Sequence, residues 1–195
     1  ELISENPGKE EFLCVAGTSP SGSVHIGNFR DVATPYFVVK ALRARGKKAK
    51  LMLSWDDFDR LRKVPKNIAA IAPDFEKYLG MPYCMIPDPY GKYSSFAEYN
   101  EKEYERSLEE MGIDIEYRYQ GKEYTSGRYV PGILTAMHAR KEIYDILMRY
   151  KTQDSDEGER ENYYPISVYC SKCNKDFTEV LSYNEDTDEI TYRCK

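Results

Sequence analysis

The sequence predicts an α/β fold built on a parallel sheet, and two observations carry that prediction. Between residues 11 and 55 an apolar run, a loop of small residues, a helical pattern and a second apolar run follow one another. Beyond residue 150 the character changes to a short, cysteine-bearing stretch, which predicts a small appended unit.

Taken in order, Phe12–Ala16 reads as a buried strand, an apolar run too short for a helix. Gly17-Thr18-Ser19-Pro20-Ser21-Gly22 is turn chemistry. Ile26–Arg45 reads as a helix ended by Gly46, with Val32, Tyr36, Val38, Val39 and Leu42 broadly at helical spacing. Lys50–Trp55 is a second strand, which completes a βαβ unit. Such units are almost always right-handed crossovers between parallel strands. The small-residue loop then lies at the carboxyl end of the sheet, where open α/β sheets bind ligands.

Val64–Pro89 is rich in proline and mixes turns with short helical pieces. Phe96–Met111 predicts a helix stopped by Gly112, and Ile113–Tyr119 a strand. Gly132–Tyr150 predicts one amphipathic helix with Ile133, Met137, Ile143, Ile146 and Leu147 on its apolar side. An acidic linker, Asp154–Glu161, divides residues 1–153 from residues 154–195, and Val168–Lys195 is hairpin-like.

Composition bounds the function classes. At 195 residues, 41% hydrophobic and 31% charged, the chain suits one medium globular domain with an appendage. No apolar run approaches the roughly 20 residues needed to span a bilayer, and no secretory leader is present, so a cytoplasmic, membrane-free protein without disulfides is expected. A net charge of −5 argues against a dedicated nucleic-acid-binding domain, normally basic, while leaving room for local contact with RNA. The basic stretch Arg43, Arg45, Lys47, Lys48 and Lys50 reads as a solvated helix C-terminus. The start at Glu1 rather than Met, and the stop at Lys195 within a motif, predict a fragment of a longer protein.

Three constellations carry chemistry. A loop of small residues followed by His25-Ile26-Gly27-Asn28 at a helix start suits a nucleotide triphosphate. Backbone can approach the ligand there, free N–H groups and the helix dipole attract anions, and His25 and Asn28 add side-chain donors. The plainer reading of His25 is a helix cap. Ser54-Trp55-Asp56-Asp57-Phe58-Asp59 ends the second strand on the same rim. Asp56 and Asp57 there either hold a substrate ammonium or cap the next turn; Asp59 reads as a cap and Trp55 as core. Finally, Cys170-Ser171-Lys172-Cys173 and, after twenty intervening residues, Cys194 make most of a zinc-ribbon pattern. The missing ligand is expected past Lys195, and the zinc is expected to be structural. Lone Cys14 and Cys84 read as small buried hydrophobes, and His138 as a satisfied helix histidine.

The stretch Gly17–Arg30 resembles the HIGH-type signature of class I aminoacyl-tRNA synthetases, most nearly the class I lysyl-tRNA synthetases of archaea and some bacteria. Ser54–Asp59 with Arg62-Lys63-Val64-Pro65, Pro87-Asp88-Pro89-Tyr90-Gly91 with Phe96-Ala97-Glu98, and Tyr124-Thr125-Ser126-Gly127-Arg128-Tyr129 are similar to that subfamily in the same order, as is the cysteine insertion. The resemblance implies the N-terminal part of a Rossmann-like catalytic domain that joins lysine to ATP, taken with Mg²⁺, and then to tRNA-Lys. It implies ATP contacts at Pro20, Gly22, His25, Gly27 and Asn28, with His25 and Asn28 catalytic. It further implies that Gly17 and Ser19 line the lysine pocket, beside which Asp56 and Asp57 are the expected partners of the substrate ammonium on the strand-end reading above. The family's Lys-Met-Ser-Lys-Ser-like loop and its anticodon-binding region are absent from these residues, so the isolated piece is expected to be inactive. Other readings remain open: a different HIGH-type synthetase or nucleotidylyltransferase, or a non-catalytic synthetase-like module that binds RNA or a partner.

Overall fold

In the computed structural model, described for residues 2–151 and 158–195, a short helix α1 (Leu2–Glu5) precedes the strand–helix–strand unit β1 (Glu11–Thr18), α2 (Ile26–Arg43) and β2 (Lys48–Trp55). Then come α3 (Lys66–Ile71) and two short 3₁₀ turns, followed by α4 (Phe96–Glu110), β3 (Glu116–Tyr119), α5 (Gln120–Thr125), α6 (Val130–His138) and α7 (Arg140–Met148). A hairpin of β4 (Thr178–Asn184) and β5 (Glu189–Cys194) ends the chain. The expected division at residue 153/154 lies outside the described residues.

β1, β2 and β3 form one sheet in that order, parallel throughout, with Phe12 opposite Ala49 and Thr18 opposite Trp55. The predicted parallel α/β architecture is therefore the observed one. One core cluster lies on one face of the sheet, where Phe12 and Ala16 of β1 and Leu51, Leu53 and Trp55 of β2 meet Val32, Val39 and Leu42 of α2 and Tyr104 and Leu108 of α4. A second cluster joins Leu61, Ile68, Phe75, Tyr83 and Ile86 to Phe96 and Ala97 at the start of α4, and Met52 of β2 is buried on the opposite face. Trp55 is completely buried; its Nε1 donates to Glu105 Oε1 at 3.0 Å and its ring meets Tyr104 edge-on.

Two expectations are corrected. β1 is not a buried strand: Leu13 and Val15 are 50% and 54% exposed. Side chains alternate across a strand, and the core helices pack only on the face bearing Phe12 and Ala16. The helix expected over residues 132–150 is two helices, α6 and α7, interrupted at Ala139. The break re-aims the chain so that Arg140 donates to the Glu161 carbonyl at 2.7 Å and the Tyr144 hydroxyl to Glu159 at 3.1 Å. Ile146 and Leu147, expected on the apolar side, are about half exposed as a result.

The basic stretch is absorbed locally: Arg43 reaches the Ala49 carbonyl and Asp114, and Lys50 pairs with Glu116. No helix of the described residues is long and apolar enough to cross a membrane.

Candidate active site at the carboxyl end of the sheet

β1 and β2 leave the sheet together, the Asp56 N–H donating to the Thr18 carbonyl at 2.9 Å. The loops after them therefore share one rim. After β1, Pro20 is buried and its carbonyl accepts from the buried amide of Asn100, which fastens the loop to α4. A Cβ on Gly22 would lie 3.6 Å from Pro65, an ordinary contact.

At the start of α2 His25 serves as the cap. Its Nδ1 accepts from the Gly27 N–H at 3.1 Å, and Asn28 Oδ1 accepts from the His25 N–H at 3.3 Å. Asn28 Nδ2 donates to Thr18 Oγ1 at 3.1 Å, which pins the first helical turn to the end of β1. With Nδ1 accepting, the neutral imidazole carries its proton on Nε2, an outward donor on an exposed side chain. The capping reading and the anion-binding reading of His25 are thus compatible. The first turn of α2 holds no acidic residue, so the helix dipole is left uncompensated for an anion. Gly27 has a local reason to lack a side chain: a Cβ would stand 2.8 Å from His25 Cε1.

The adjacent acidic residues point to different places. Asp56 lines a cavity of about 710 Å³, and its carboxyl is held above the ordinary carboxylate range by burial and by the nearby charges of Asp59 and Asp57. Asp59, expected only to cap, also lines that cavity, and its Oδ2 accepts from Ser19 Oγ at 3.3 Å. A Cβ on Gly17 would lie 3.9 Å from Asp56 Oδ2, so Gly17, Ser19, Asp56 and Asp59 belong to one group. Asp57 does not: it is buried, its Oδ1 accepts from the Gly121 N–H at 2.8 Å, and it lines a separate cavity with Cys84 and Glu101. Desolvation raises the Asp57 carboxyl, opposed by the backbone N–H groups that it accepts from. A carboxylate so engaged holds the β3–α5 junction.

Sequence reasoning passed over the cavity's other walls. Phe58 stacks on Tyr124 at 5.0 Å, and Tyr129 and Tyr169 meet that pair edge-on. Gln120 is fixed between Ser54 Oγ at 2.6 Å and the Tyr129 hydroxyl at 2.6 Å. Tyr124 and Tyr129 stand in the last of the resembling motifs, a signal that was present but named no role.

The cysteines converge as expected. Sγ atoms of Cys170, Cys173 and Cys194 all lie within 4.8 Å of one another, Cys173 and Cys194 at 3.8 Å. Sulfurs sharing one tetrahedral zinc at ~2.3 Å stand about 3.8 Å apart, so the spacing fits that ion. Backbone N–H groups of Lys172 and Cys173 lower the Cys170 thiol to about 7, which favours the thiolate that zinc requires. The knuckle is docked on the rest of the chain. Tyr169 donates to the Phe58 carbonyl at 2.7 Å, Asp176 pairs with Arg60, and His138 meets Asp188 at 2.9 Å.

The profile of the family described as "tRNA synthetases class I (K)" matches residues 1–195. The chain is 39% identical over 195 residues to a lysine–tRNA ligase of Treponema pallidum and 40% over 199 residues to one of Borreliella burgdorferi. It is 34% identical over 194 residues to one of Pyrococcus horikoshii. All of this chain is covered in each case, against 36% of each relative, so it spans about a third of the length of the curated proteins it matches.

Proposed function

The chain belongs to the class I tRNA synthetases (K), and from that premise we propose that its full-length protein is a lysine–tRNA ligase acting in the cytoplasm on lysine, ATP and tRNA-Lys. The observation that carries this reading is the shared rim, an uncompensated helix N-terminus with an outward imidazole donor beside a carboxylate-bearing cavity. One place suits a triphosphate and the other a cationic amino acid.

In the proposed reaction the lysine carboxylate attacks the α-phosphate of ATP, forming lysyl-adenylate and releasing pyrophosphate. A ribose hydroxyl of the terminal tRNA nucleotide then takes the lysyl group and AMP leaves. No covalent enzyme intermediate is needed, so positioning and charge stabilisation supply the catalysis. Residues after Thr18, including Gly22 and Gly27, give the nucleotide close access to backbone, and the first turn of α2 attracts its phosphates. Mg²⁺ bound with ATP would neutralise part of the phosphate charge. His25 Nε2–H donates to charge developing at the α-phosphate. Asn28 acts as a positioning residue, because both ends of its amide brace the turn. Buried Pro20 braces the loop in the same way. Gly17, Ser19 and Asp56 face the amino acid, and Asp57 holds the junction behind them. Cys170, Cys173 and Cys194 would hold a structural zinc, with residues 154–195 forming the unit around it.

Amino-acid-dependent ATP–pyrophosphate exchange by the full-length protein, run across all amino acids, tests the reading. Exchange with lysine together with charging of tRNA-Lys supports it. Exchange with another amino acid, or none, replaces it with a different HIGH-type enzyme or a non-catalytic module.

A further inference from the structure

Among the described residues the rim cavity is lined by two carboxylates and by no lysine, arginine or histidine. Neither Asp56 nor Asp59 takes part in an ion pair among the described residues. The basic residue next to Asp59 in sequence, Arg60, is turned away to Asp176. Burial raises the Asp56 carboxyl, and the neighbouring charges of Asp59 and Asp57 add to that rise. A cation relieves it; a phosphate would worsen it. The cavity therefore suits the amino-acid side of the reaction and not the triphosphate or the RNA backbone.

Its walls narrow the choice of cation. Phe58 and Tyr124 present stacked rings 5.0 Å apart, with Tyr129 and Tyr169 closing the sides. Aromatic faces accommodate methylene chains, and ammonium groups are attracted to ring faces. Asp59 is the carboxylate next to this aromatic pair, and its position is held from three sides. Its N–H donates to the Asp56 carbonyl at 3.2 Å, its carbonyl accepts from the Tyr83 N–H at 3.0 Å, and Ser19 Oγ donates to Oδ2. Asp56 lies instead beside Gly17 at the strand end, its Oδ2 3.9 Å from where a Gly17 Cβ would stand.

Resting on the lysine-ligase reading above, we infer that Asp59, with the Phe58–Tyr124 pair, is the specificity determinant that recognises the side-chain ammonium of the amino acid, leaving Asp56 for the α-ammonium. Ser19, which the resemblance places directly on lysine, acts through Asp59 by fixing one of its oxygens. Oδ1 is then the acceptor offered to the substrate.

The test uses the full-length protein in ATP–pyrophosphate exchange, with lysine as substrate and L-2-aminoheptanoate as inhibitor. That analogue keeps the chain length and carries a methyl group in place of the side-chain ammonium. In Asp59→Asn the lysine KM should rise at least about tenfold, the loss expected for one charge-assisted hydrogen bond. The ATP KM should stay within about twofold, and the preference for lysine over aminoheptanoate should shrink by the same factor as the lysine KM. Asp59→Glu should recover part of that preference. Asp56→Asn should weaken lysine and aminoheptanoate together. Tyr124→Leu, which keeps the cavity apolar but removes the ring, should lower the lysine preference to a smaller degree, and it provides a reading if Asp59→Asn does not fold. The inference is overturned if Asp59→Asn, or in its place Tyr124→Leu, leaves the preference unchanged or weakens both compounds equally. If the unaltered protein shows no lysine-dependent exchange, the ligase reading itself fails; if it exchanges and only the variants disagree, the ligase reading stands and this assignment falls.

Discussion

His25 and Gly27 depend on each other. The imidazole Nδ1 accepts the Gly27 N–H at 3.1 Å, and any Cβ at residue 27 would stand 2.8 Å from the imidazole Cε1. The glycine lets the ring fold back over the helix start. With Nδ1 engaged by the Gly27 N–H, Nε2 is the ring nitrogen left for the proposed phosphate contact.

Loss of that donor should be felt in chemistry more than in folding. His25→Ala in the full-length protein should lower lysine-dependent exchange by about 10²-fold, as removal of one electrostatic stabiliser does, with the melting temperature falling only by the worth of a cap. Gly27→Ala should lower exchange in the same direction, because the ring must rotate off its cap. Steady-state exchange kinetics and thermal melts on both variants check this, and unchanged exchange in either removes His25 from the reaction.

Glu101 sets a pH dependence of stability. It is buried, its Oε1 has no hydrogen-bond partner, and burial first, then the charges of Asp57 and Glu105, raise it from 4.5 to about 8. The folded state therefore keeps a proton that the unfolded chain releases. Its contribution is full below pH 4.5 and is lost as pH rises through about 8. Glu101→Gln, which mimics the protonated form, should gain stability on the parent as pH rises from 5 to 8. The gain should exceed ~1.4 kcal/mol, the worth of one pKa unit. Parallel melting curves across that range would show it as a widening gap, and a constant gap contradicts it.

The cysteine knuckle should carry about one zinc per chain in the full-length protein, read by elemental analysis. Cys170→Ser or Cys173→Ser should lose it and lower the melting temperature. Full zinc in those variants would end the structural-zinc reading.

Docking of the knuckle against the rim rests partly on one buried-side hydrogen bond, from Tyr169 to the Phe58 carbonyl at 2.7 Å. Tyr169→Phe should cost about 1 kcal/mol and raise the lysine KM, since Phe58 precedes Asp59 in the cavity wall. Asp176→Asn, which weakens the second anchor to Arg60, should act in the same direction. A loss of stability with no change in lysine KM would separate docking from substrate binding.

Much of this arrangement was legible in the chain. The apolar runs on either side of a small-residue loop marked β1, α2 and β2, and the crossover rule placed both candidate loops on one rim. Cysteine spacing marked the knuckle. The faces of Asp56, Asp57 and Asp59 were not legible, because successive residues beyond a strand end turn according to what receives them. Asp57 is received by Gly121, 64 positions away, and Asp59 by Ser19, 40 positions back.

The sequence by itself determined the local decisions: periodicity chose helix or strand, the loop chemistry chose the turn, and the cysteine spacing chose the knuckle. Only the tertiary structure decided the shared ones. Which face of β1 is covered depends on where α2 and α4 lie. The interruption at Ala139 goes with Arg140 reaching the Glu161 carbonyl. The aromatic wall that lines one cavity with Asp59 forms only where residues 58, 124, 129 and 169 are folded together. Such contacts join positions far apart along the chain, so their energies appear in no local pattern of residues and exist only once the chain has closed on itself.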